Sequence, residues 1–283
     1  MKIALVGVGL IGGSFVLGLK RTMPHLQVVG IDQNAENLIQ AKALGIIDSS
    51  DTLEHAVQTT DCTILAVPVD AIVHLLPRVL DLANADHTVI DFGSTKAAIC
   101  GSVKDHAKRA CFIAAHPIAG TEYSGPKAAF AELFDNKVMI TCEEELSGKQ
   151  QLALYHQCCA SMQMQMRSMD PKSHDLHLAF VSHLSHISSF ALGKTVLKKE
   201  ESEQHIFDMA GSGFASTVRL AKSSPEMWGP IFKHNKENLL DGLNTYIQEL
   251  ERFKALLTSM DEEAMLAYMK EANKIREIVD RIA

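Results

Sequence analysis

The sequence lacks the features that mark several large classes of protein. Its 283 residues include no polybasic tail, and the acids and bases that give a formal net charge of −7 are interspersed. This pattern excludes a basic face for nucleic acid and a charged tail for a membrane surface. The six cysteines form no C-x-x-C pair, so reduced thiols in a cytoplasmic protein are expected. Repeats and low-complexity stretches are also absent from the sequence.

The first stretch, MKIALVGVGLIGGSFVLGLK, has no charge between Lys2 and Lys20, as in a secretory signal peptide. Five glycines interrupt it, however, whereas a transmembrane helix needs roughly 20 apolar residues with few helix breakers. It also ends in Lys20-Arg21 and runs into another apolar strand, where a signal peptide would have a cleavage site. We therefore expect neither a signal peptide nor a membrane span.

A strand, turn and helix account better for this stretch. KIALVGV has the composition of a buried strand, and Gly7-Val8-Gly9-Leu10-Ile11-Gly12 fits G-x-G-x-x-G where a helix would begin. The three glycines would serve a tight turn, close approach of a diphosphate to the backbone, and helix–strand packing. The diphosphate would lie at the helix N-terminus. The cofactor-binding residues expected here are Gly7, Gly9, Leu10, Ile11 and Gly12.

The second strand-like run, VVGID, ends in Asp32, about twenty residues beyond the last glycine, as the dinucleotide fingerprint requires. A carboxylate there accepts hydrogen bonds from the adenosine ribose and repels a 2′-phosphate. Gln33 follows, where NADP-binding proteins often have an arginine. The sequence therefore favours NAD over NADP. A strand–helix unit that binds no ligand is the alternative.

Further strand-like runs alternate with helical stretches: CTILAVP (62–68), TVIDFGS (88–94), CFIAAHP (111–117) and KVMITC (137–142). This alternation predicts an α/β domain over residues 1–167, with a Rossmann-type, doubly wound and mostly parallel sheet. Ligands of such sheets bind outside the carboxyl ends of the strands. Pro68, Ser94 and His116 stand at those ends and are candidates for the site.

His116 is a candidate general base because a neutral imidazole takes a proton near working pH. Pro117 favours an extended backbone at His116, and a polar loop, IAGTEYSG, follows. Ser94 could orient the imidazole or the same substrate hydroxyl, or it could cap the helix expected in TKAAICGSV. A purely structural histidine is the alternative for His116.

After residue 168 the strand signals end and apolar residues recur at helical spacing, which predicts an all-α domain over residues 168–283. One helix is expected to run from Asp170-Pro171 to about Lys198. A second helical segment would open at Ser223, with a kink at Gly229-Pro230. Ser259 and Glu262 resemble a capping box for the last helix. Apolar stripes that this domain does not bury alone suggest a homodimer.

The segment SHDLHLAFVSHLSHISS contains four histidines, but their helical spacing and the missing carboxylate predict no metal site. His183 and His186 share a polar stripe with Ser182 and Ser189, which is either a seam between subunits or the wall of a pocket. Arg219 follows the glycine-rich GSGF turn. Its guanidinium either binds a carboxylate or lies on the surface.

The motifs G-x-G-x-x-G, DFGSTK, HPIAGTEYSG, SHLSH, GSGF…TxRLA and SPEMW occur in this order over essentially the whole chain. Together they resemble the prephenate/arogenate dehydrogenases of tyrosine biosynthesis, and HPIAG followed by TExSG is the most specific. The resemblance implies a Rossmann-type NAD-binding domain and a helical dimerisation domain. It also implies a cytoplasmic homodimer that catalyses NAD-dependent oxidative decarboxylation of prephenate, arogenate or both.

The resemblance also implies roles for individual residues. His116 matches the histidine that accepts the proton of the ring hydroxyl, and Ser94 matches the serine that hydrogen-bonds to that hydroxyl. Arg219 matches the arginine that binds a substrate carboxylate. The other implied substrate-site residues are His186, the second histidine of SHLSH, with Thr121, Glu122 and Trp228.

One departure from the family pattern is Ala215-Ser216, where a basic residue followed by an acid is common, so that ion pair at the pocket mouth is expected to be missing. We expect neither a fused chorismate mutase nor an appended regulatory domain, because the chain starts on the first strand and ends on the last helix. Two alternatives remain: another two-domain NAD(P)-dependent dehydrogenase, acting on a 3-hydroxyacid or an imine, and a non-catalytic NAD-binding dimer. The sequence leaves open prephenate or arogenate, acceptance of NADP, and inhibition by tyrosine.

Overall fold

A computed structural model gives the backbone of residues 1–282 and the side chains of residues 1–280. The chain forms two compact units, Met1–Lys236 and a second that begins at Glu237. The helices that follow the sheet, up to residue 236, therefore belong to the same compact unit as the sheet.

The strands of the first unit are β1 (Lys2–Val6), β2 (Gln27–Ile31), β3 (Ser49–Ser50), β4 (Cys62–Leu65), β5 (Thr88–Asp91), β6 (Phe112–Ile118), β7 (Val138–Cys142) and β8 (Gln165–Met169). They form one sheet in the order β3-β2-β1-β4-β5-β6-β7-β8. All neighbours are parallel except β6 and β7. The expected mostly parallel sheet is confirmed.

Two strands were missed by the sequence patterns, and both are short of buried residues. Strand β3 has two exposed residues, and the QMRSM of β8 has exposed and half-buried residues without a continuous apolar run. Each lies at an edge of the sheet. Edge strands need no apolar signal on both faces, so sequence periodicity does not reveal them.

The helices of the first unit are α1 (Leu10–Thr22), α2 (Ala35–Ala43), α3 (Leu53–Thr59), α4 (Val69–Leu82), α5 (Ala97–Ser102), α6 (Lys149–Ser161), α7 (Pro171–Leu178), α8 (Leu184–Glu200), α9 (Ser212–Val218) and α10 (Pro225–His234). Successive residues of β1 point to opposite faces of the sheet. Leu5 lies in one apolar cluster with Phe15 of α1, whereas Val6 lies in another with Ile72 and Leu76 of α4. Both faces are thus covered, as in a doubly wound sheet.

The helical stretch predicted from Asp170-Pro171 begins there. The Asp170 carboxylate accepts hydrogen bonds from the backbone N–H groups of Lys172 and Ser173, both at 3.0 Å. Helix α7 then continues through a π-helical turn, Ala179–His183, into α8. Gly229-Pro230 lies inside α10, where the kink was predicted, and Asn235 is the C-terminal cap of that helix.

The second unit contains α11 (Lys236–Ser259, whose first residue belongs to the first unit), α12 (Glu262–Ala272) and α13 (Arg276–Ile282). The rings of Phe253 and Tyr268 join α11 and α12, with centroids 5.5 Å apart. The predicted capping box at Ser259 is wrong, because Asp261 caps α12 by accepting from the Ala264 N–H at 3.0 Å. Across residues 1–282, no helix is long and apolar enough to cross a membrane.

Candidate active site

The glycine turn joins β1 to α1, and its three glycines have different surroundings. Gly7 has a φ of +90°, and a Cβ atom there would lie 2.3 Å from the carbonyl oxygen of Ala66. At Gly12 a Cβ atom would lie 2.5 Å from the Gly7 carbonyl oxygen and 2.8 Å from Leu5 Cδ1. At Gly9, in contrast, it would meet nothing within 4 Å. The open side of the turn at Gly9 is therefore where a ligand can approach the backbone.

The start of α1 suits a diphosphate, because Gly9 provides no side-chain cap and no acidic residue stands in the first turn. Asp32 follows β2 and accepts a hydrogen bond from the Val8 N–H at 3.2 Å, which places its carboxylate beside the glycine turn. A second hydrogen bond, from the Asn34 N–H at 2.9 Å, fixes the other carboxylate oxygen. Pro68 is exposed at the start of α4, beyond the end of β4. These residues fit a dinucleotide in their chemistry and in the open side of the turn at Gly9.

His116 lies near the carboxyl end of β6, opposite Ile140 of β7. The glycine turn lies at the carboxyl end of β1, so both are on the same side of the sheet, outside the carboxyl ends of the parallel strands. Its Nδ1 atom lies 2.9 Å from Nε2 of His174, in α7. His174 Nδ1 in turn lies 2.8 Å from Oδ1 of Asp175. Burial lowers the pKa of His116 well below its usual value, and repulsion from His174 and Lys96 adds to this shift. His116 is therefore a neutral imidazole at neutral pH.

A buried lysine, Lys96, contacts the backbone of β6 next to His116. The side chains of Lys96 and Asp91 are both fully buried, and they form an ion pair. The Lys96 ammonium also donates to the Ala115 carbonyl oxygen at 2.7 Å, one residue before His116. This contact ties the loop after β5 to the backbone of β6, next to the residue with the imidazole.

The helix that contains SHLSH presents its polar stripe to its own chain. His186 stacks on Trp228, with ring centroids 3.4 Å apart, and His183 meets the same indole edge-on at 5.7 Å. The Ser189 hydroxyl donates to the Thr217 carbonyl oxygen at 2.7 Å, joining α8 to α9. Burial lowers the pKa of His183 to about 4 and lowers that of His186 as well.

Arg219 directly follows α9, at the start of a 3₁₀ turn, and its half-exposed guanidinium donates to Glu122 Oε2 at 3.0 Å. The Arg219 charge also contributes, after burial, to the lowered pKa of His186. Thr121 lies in the loop after β6, where its hydroxyl accepts from the Tyr123 N–H at 3.2 Å. The structure thus brings Arg219, Glu122 and His186 into one electrostatic neighbourhood.

Ser94 lies in the loop after β5 and is half-buried. Within residues 1–280, helix α5 has no side-chain cap from its own segment, so the capping role considered for Ser94 is wrong. The carboxylate of Asp175 takes that role, because it accepts from the N–H groups of Lys96 at 2.7 Å and Ala97 at 2.9 Å. Ser94 lies outside the carboxyl end of β5, on the same side of the sheet as His116, and its hydroxyl does not cap α5.

The sequence reading missed the residues that lie behind His116. His174 was weighed only as a metal ligand, and no group of three or more His, Cys, Asp or Glu side chains within residues 1–280 forms a metal site. Asp175 and Lys96 were not singled out. The adjacent His174-Asp175 pair at the start of a helix was the available signal, since a carboxylate next to a histidine commonly orients its ring.

The glycine turn, the carboxylate after β2 and a histidine at the same sheet edge define a Rossmann-type dinucleotide-binding protein. The model of the prephenate dehydrogenase nucleotide-binding domain matches residues 15–166, and that of the prephenate dehydrogenase dimerization domain matches residues 170–271. The chain belongs to the prephenate dehydrogenase family. This result favours that family over the 3-hydroxyacid and imine dehydrogenases that the sequence left open.

Individual members of the family are similar to this chain over nearly its whole length. Prephenate dehydrogenase of Bacillus subtilis is 31% identical, over 97% of this chain and 75% of the relative. The crystal structure of A. aeolicus prephenate dehydrogenase with hydroxyphenyl propionate and NAD+ has a TM-score of 0.87 at 31% identity, covering 99% of this chain and 98% of that one. Synechocystis arogenate dehydrogenase has a TM-score of 0.75 at 26% identity, covering 99% and 100%.

Proposed function

We propose that the chain catalyses the NAD-dependent oxidative decarboxylation of prephenate, arogenate or both. The observation that carries the proposal is the position of His116, a neutral imidazole at the sheet edge that also holds the glycine turn. Family membership supports the reaction, and relatives named for prephenate and for arogenate support both substrates. The A. aeolicus structure, which contains NAD+, supports the cofactor.

The substrate is a cyclohexadienol with a carboxylate on the ring carbon opposite the hydroxyl. NAD, when bound, supplies the acceptor for the hydride that leaves the carbinol carbon. His116 takes the hydroxyl proton on Nε2, since Nδ1 faces His174. The electron pair of the ring–carboxylate bond moves into the ring as CO2 leaves, and the ketone oxygen becomes a phenolate that takes a proton back. Because aromatisation drives the reaction, the protein needs mainly one base and accurate positioning.

The remaining site residues bind and orient the substrate. The Arg219 guanidinium binds a substrate carboxylate through charge-assisted hydrogen bonds, and the Ser94 hydroxyl bonds to the reacting hydroxyl. The residues that line the pocket are Thr121, Glu122, His186 and Trp228. Trp228 supports this assignment, because its buried Nε1 donor has no acceptor within residues 1–280. A substrate oxygen would satisfy that donor.

The cofactor lies along the glycine turn in this proposal. Gly7, Gly9, Leu10, Ile11 and Gly12 hold the diphosphate at the start of α1, with Pro68 lining the nicotinamide side. Asp32 binds the adenosine ribose and disfavours a 2′-phosphate. The open side of Gly9 and the position of Asp32 beside Val8 support this arrangement.

We also propose that residues 1–167 form the NAD-binding domain, and that residues 168–283 form the substrate and dimerisation domain of a homodimer. The family matches, which change over between residues 166 and 170, support the boundary. Exposed apolar side chains along α11 support a dimer, namely Leu240, Ile247, Leu250 and Leu257. Six free cysteines fit a reducing, cytoplasmic location.

The direct test is NADH formation by the purified protein, followed by absorbance with prephenate and with arogenate in parallel, and repeated with NADP. Turnover with at least one substrate, faster with NAD than with NADP, is expected. A protein that binds NAD but turns over neither substrate would contradict the proposal. Light scattering of the same sample tests the homodimer, which predicts about twice the chain mass of 31.0 kDa.

A further inference from the structure

We propose that His174 and Asp175 are positioning residues, which fix the proton of His116 on Nδ1 and leave Nε2 bare to receive the substrate proton. The proposal rests on the proposed function for its kinetic consequence. The protonation pattern itself is a property of the free protein. It follows from a chain of hydrogen bonds in which each donor is determined by the one before.

The series of hydrogen bonds begins at Asp175, whose buried carboxylate is held by backbone N–H groups. Oδ1 accepts from the Lys96 N–H at 2.7 Å, and Oδ2 accepts from the Ala97 N–H at 2.9 Å. Backbone N–H groups only donate, so both carboxylate oxygens are acceptors in this geometry. Oδ1 is also the atom 2.8 Å from Nδ1 of His174. His174 must therefore donate to it from Nδ1.

His174 is fully buried, and burial lowers its pKa although Asp175 opposes the shift. The ring therefore has one proton, which is on Nδ1 facing Asp175. Its Nε2 is consequently a bare nitrogen that accepts hydrogen bonds. The donor available to it is Nδ1 of His116, at 2.9 Å.

His116 is also neutral, so a proton on Nδ1 leaves Nε2 as its lone-pair nitrogen. When Nε2 takes the substrate proton, the imidazolium keeps its Nδ1–H bond to His174. The carboxylate of Asp175 then lies at the far end of this series of hydrogen bonds. Its negative charge stabilises the new positive charge on the imidazolium. This is the orienting and charge-stabilising role that a buried carboxylate has behind a catalytic histidine in hydrolytic triads.

Lys96 completes the arrangement by joining both ends of it. Its backbone N–H holds Asp175, while its ammonium holds the Ala115 carbonyl oxygen one residue before His116. The strand with the base and the helix with its partner therefore share one anchor. The distance between the two imidazoles is fixed by buried contacts on both sides.

The test uses ¹⁵N NMR of the imidazole nitrogens, which separates protonated from bare nitrogens, together with steady-state kinetics. The His116 signals are identified as those missing from the His116→Asn spectrum. Two variants alter the partner: His174→Leu removes the acceptor, whereas His174→Gln keeps an amide oxygen close to the Nε2 position. His87→Leu is the matched control, because His87 is equally buried and also makes two hydrogen bonds. It precedes β5, at the amino ends of the strands and away from His116.

In the wild type, we expect a protonated Nδ1 and a bare Nε2 on His116. His174→Leu should lose this single tautomer and reduce kcat on the order of 10²-fold, with the KM for NAD nearly unchanged. His174→Gln should keep the tautomer and most of kcat. His87→Leu should lower the thermal midpoint without changing the His116 tautomer or kcat.

A proton on Nε2 of His116 in the wild type would overturn the proposal. So would wild-type kcat in His174→Leu, or equal losses in His174→Leu and His174→Gln. If His174→Leu does not fold, the wild-type spectrum and the glutamine variant still decide. If the protein turns over neither substrate, the proposed function fails, while the wild-type tautomer separately tests the hydrogen-bond chain.

Discussion

Arg219 donates a hydrogen bond to Glu122 at 3.0 Å, across 97 residues of sequence. The guanidinium proposed to bind a substrate carboxylate therefore already has a carboxylate partner in the protein itself. Ala215 and Ser216, four and three residues earlier, carry no charge. The Arg219–Glu122 pair is a charged contact of this region, and a substrate carboxylate bound as proposed would share or displace it.

Replacing Glu122 by glutamine removes the competing charge. Glu122→Gln should lower the KM for prephenate about two- to fivefold, as expected for a half-exposed ion pair, with kcat little changed. Arogenate carries an ammonium group in addition and should gain less. The measurement is KM for both substrates, with Glu54→Gln, which breaks an exposed ion pair on α3, as the control. An unchanged or increased KM for prephenate would show that Glu122 does not compete for Arg219.

Substitutions at Gly9 and Gly12 are expected to have different effects, because Gly9 would contact NAD whereas Gly12 packs against the protein. Gly9→Ala adds a methyl group where nothing lies within 4 Å, so the thermal midpoint without cofactor should stay unchanged. The KM for NAD should rise about 5- to 150-fold, if the clash with the diphosphate costs what overpacking costs in a core.

Gly12→Ala places its methyl group 2.5 Å from the Gly7 carbonyl oxygen and should lower stability by about 1–3 kcal/mol. Thermal unfolding with and without NAD distinguishes the two variants. A destabilised Gly9→Ala protein that binds NAD normally would contradict the proposed position of the diphosphate.

Asp32 is expected to select NAD through the charge of its carboxylate. Asp32→Asn should decrease the ratio of kcat/KM for NAD to that for NADP by about 10- to 100-fold, since a hydrogen bond to a charged group is lost and a repulsion is removed. Glu36→Gln removes the same charge four residues later, on α2, and should leave the ratio unchanged. Equal effects of the two substitutions would reduce the role of Asp32 to general electrostatics.

The pH dependence of kcat/KM reports on His116. A general base must be unprotonated, so activity falls as the pH decreases through its pKa. Burial, with the charges of His174, Lys96 and His183, lowers that pKa well below the usual 6.5, so the acid limb should lie below pH 6.5. His116→Asn should lose this limb and roughly 10²- to 10⁴-fold in kcat while still binding NAD. Near-normal turnover of the variant, or a limb above pH 6.5, would contradict the assignment.

The sequence predicted the fold where local signals were strong. The glycine spacing and the apolar run of β1 located the first strand, turn and helix, and Asp170-Pro171 located the start of α7. The edge strand β8 was missed because its residues are mostly exposed. Helix α12 was assigned the wrong cap, because Ser259 and Asp261 are both good capping residues and local propensity does not choose between them.

The candidate site was predictable as a set of residues at strand ends, but the contacts behind it were not. His116 and His174 are 58 residues apart, and Asp175 meets the backbone of Lys96 over 79 residues. Such contacts depend on how α7 packs against the loop after β5, which no local pattern specifies. The burial of Lys96 was equally hidden, since a lysine in a polar segment is ordinarily exposed.

The coupling of oxidation to decarboxylation is the central claim, and the ratio of CO2 released to NADH formed tests it most directly. With prephenate or arogenate labelled in the ring carboxylate, we predict one labelled CO2 per NADH throughout the time course, with both signals lost together in His116→Asn. NADH formed without labelled CO2 would contradict the account, because it would make the protein a simple alcohol dehydrogenase on the same fold.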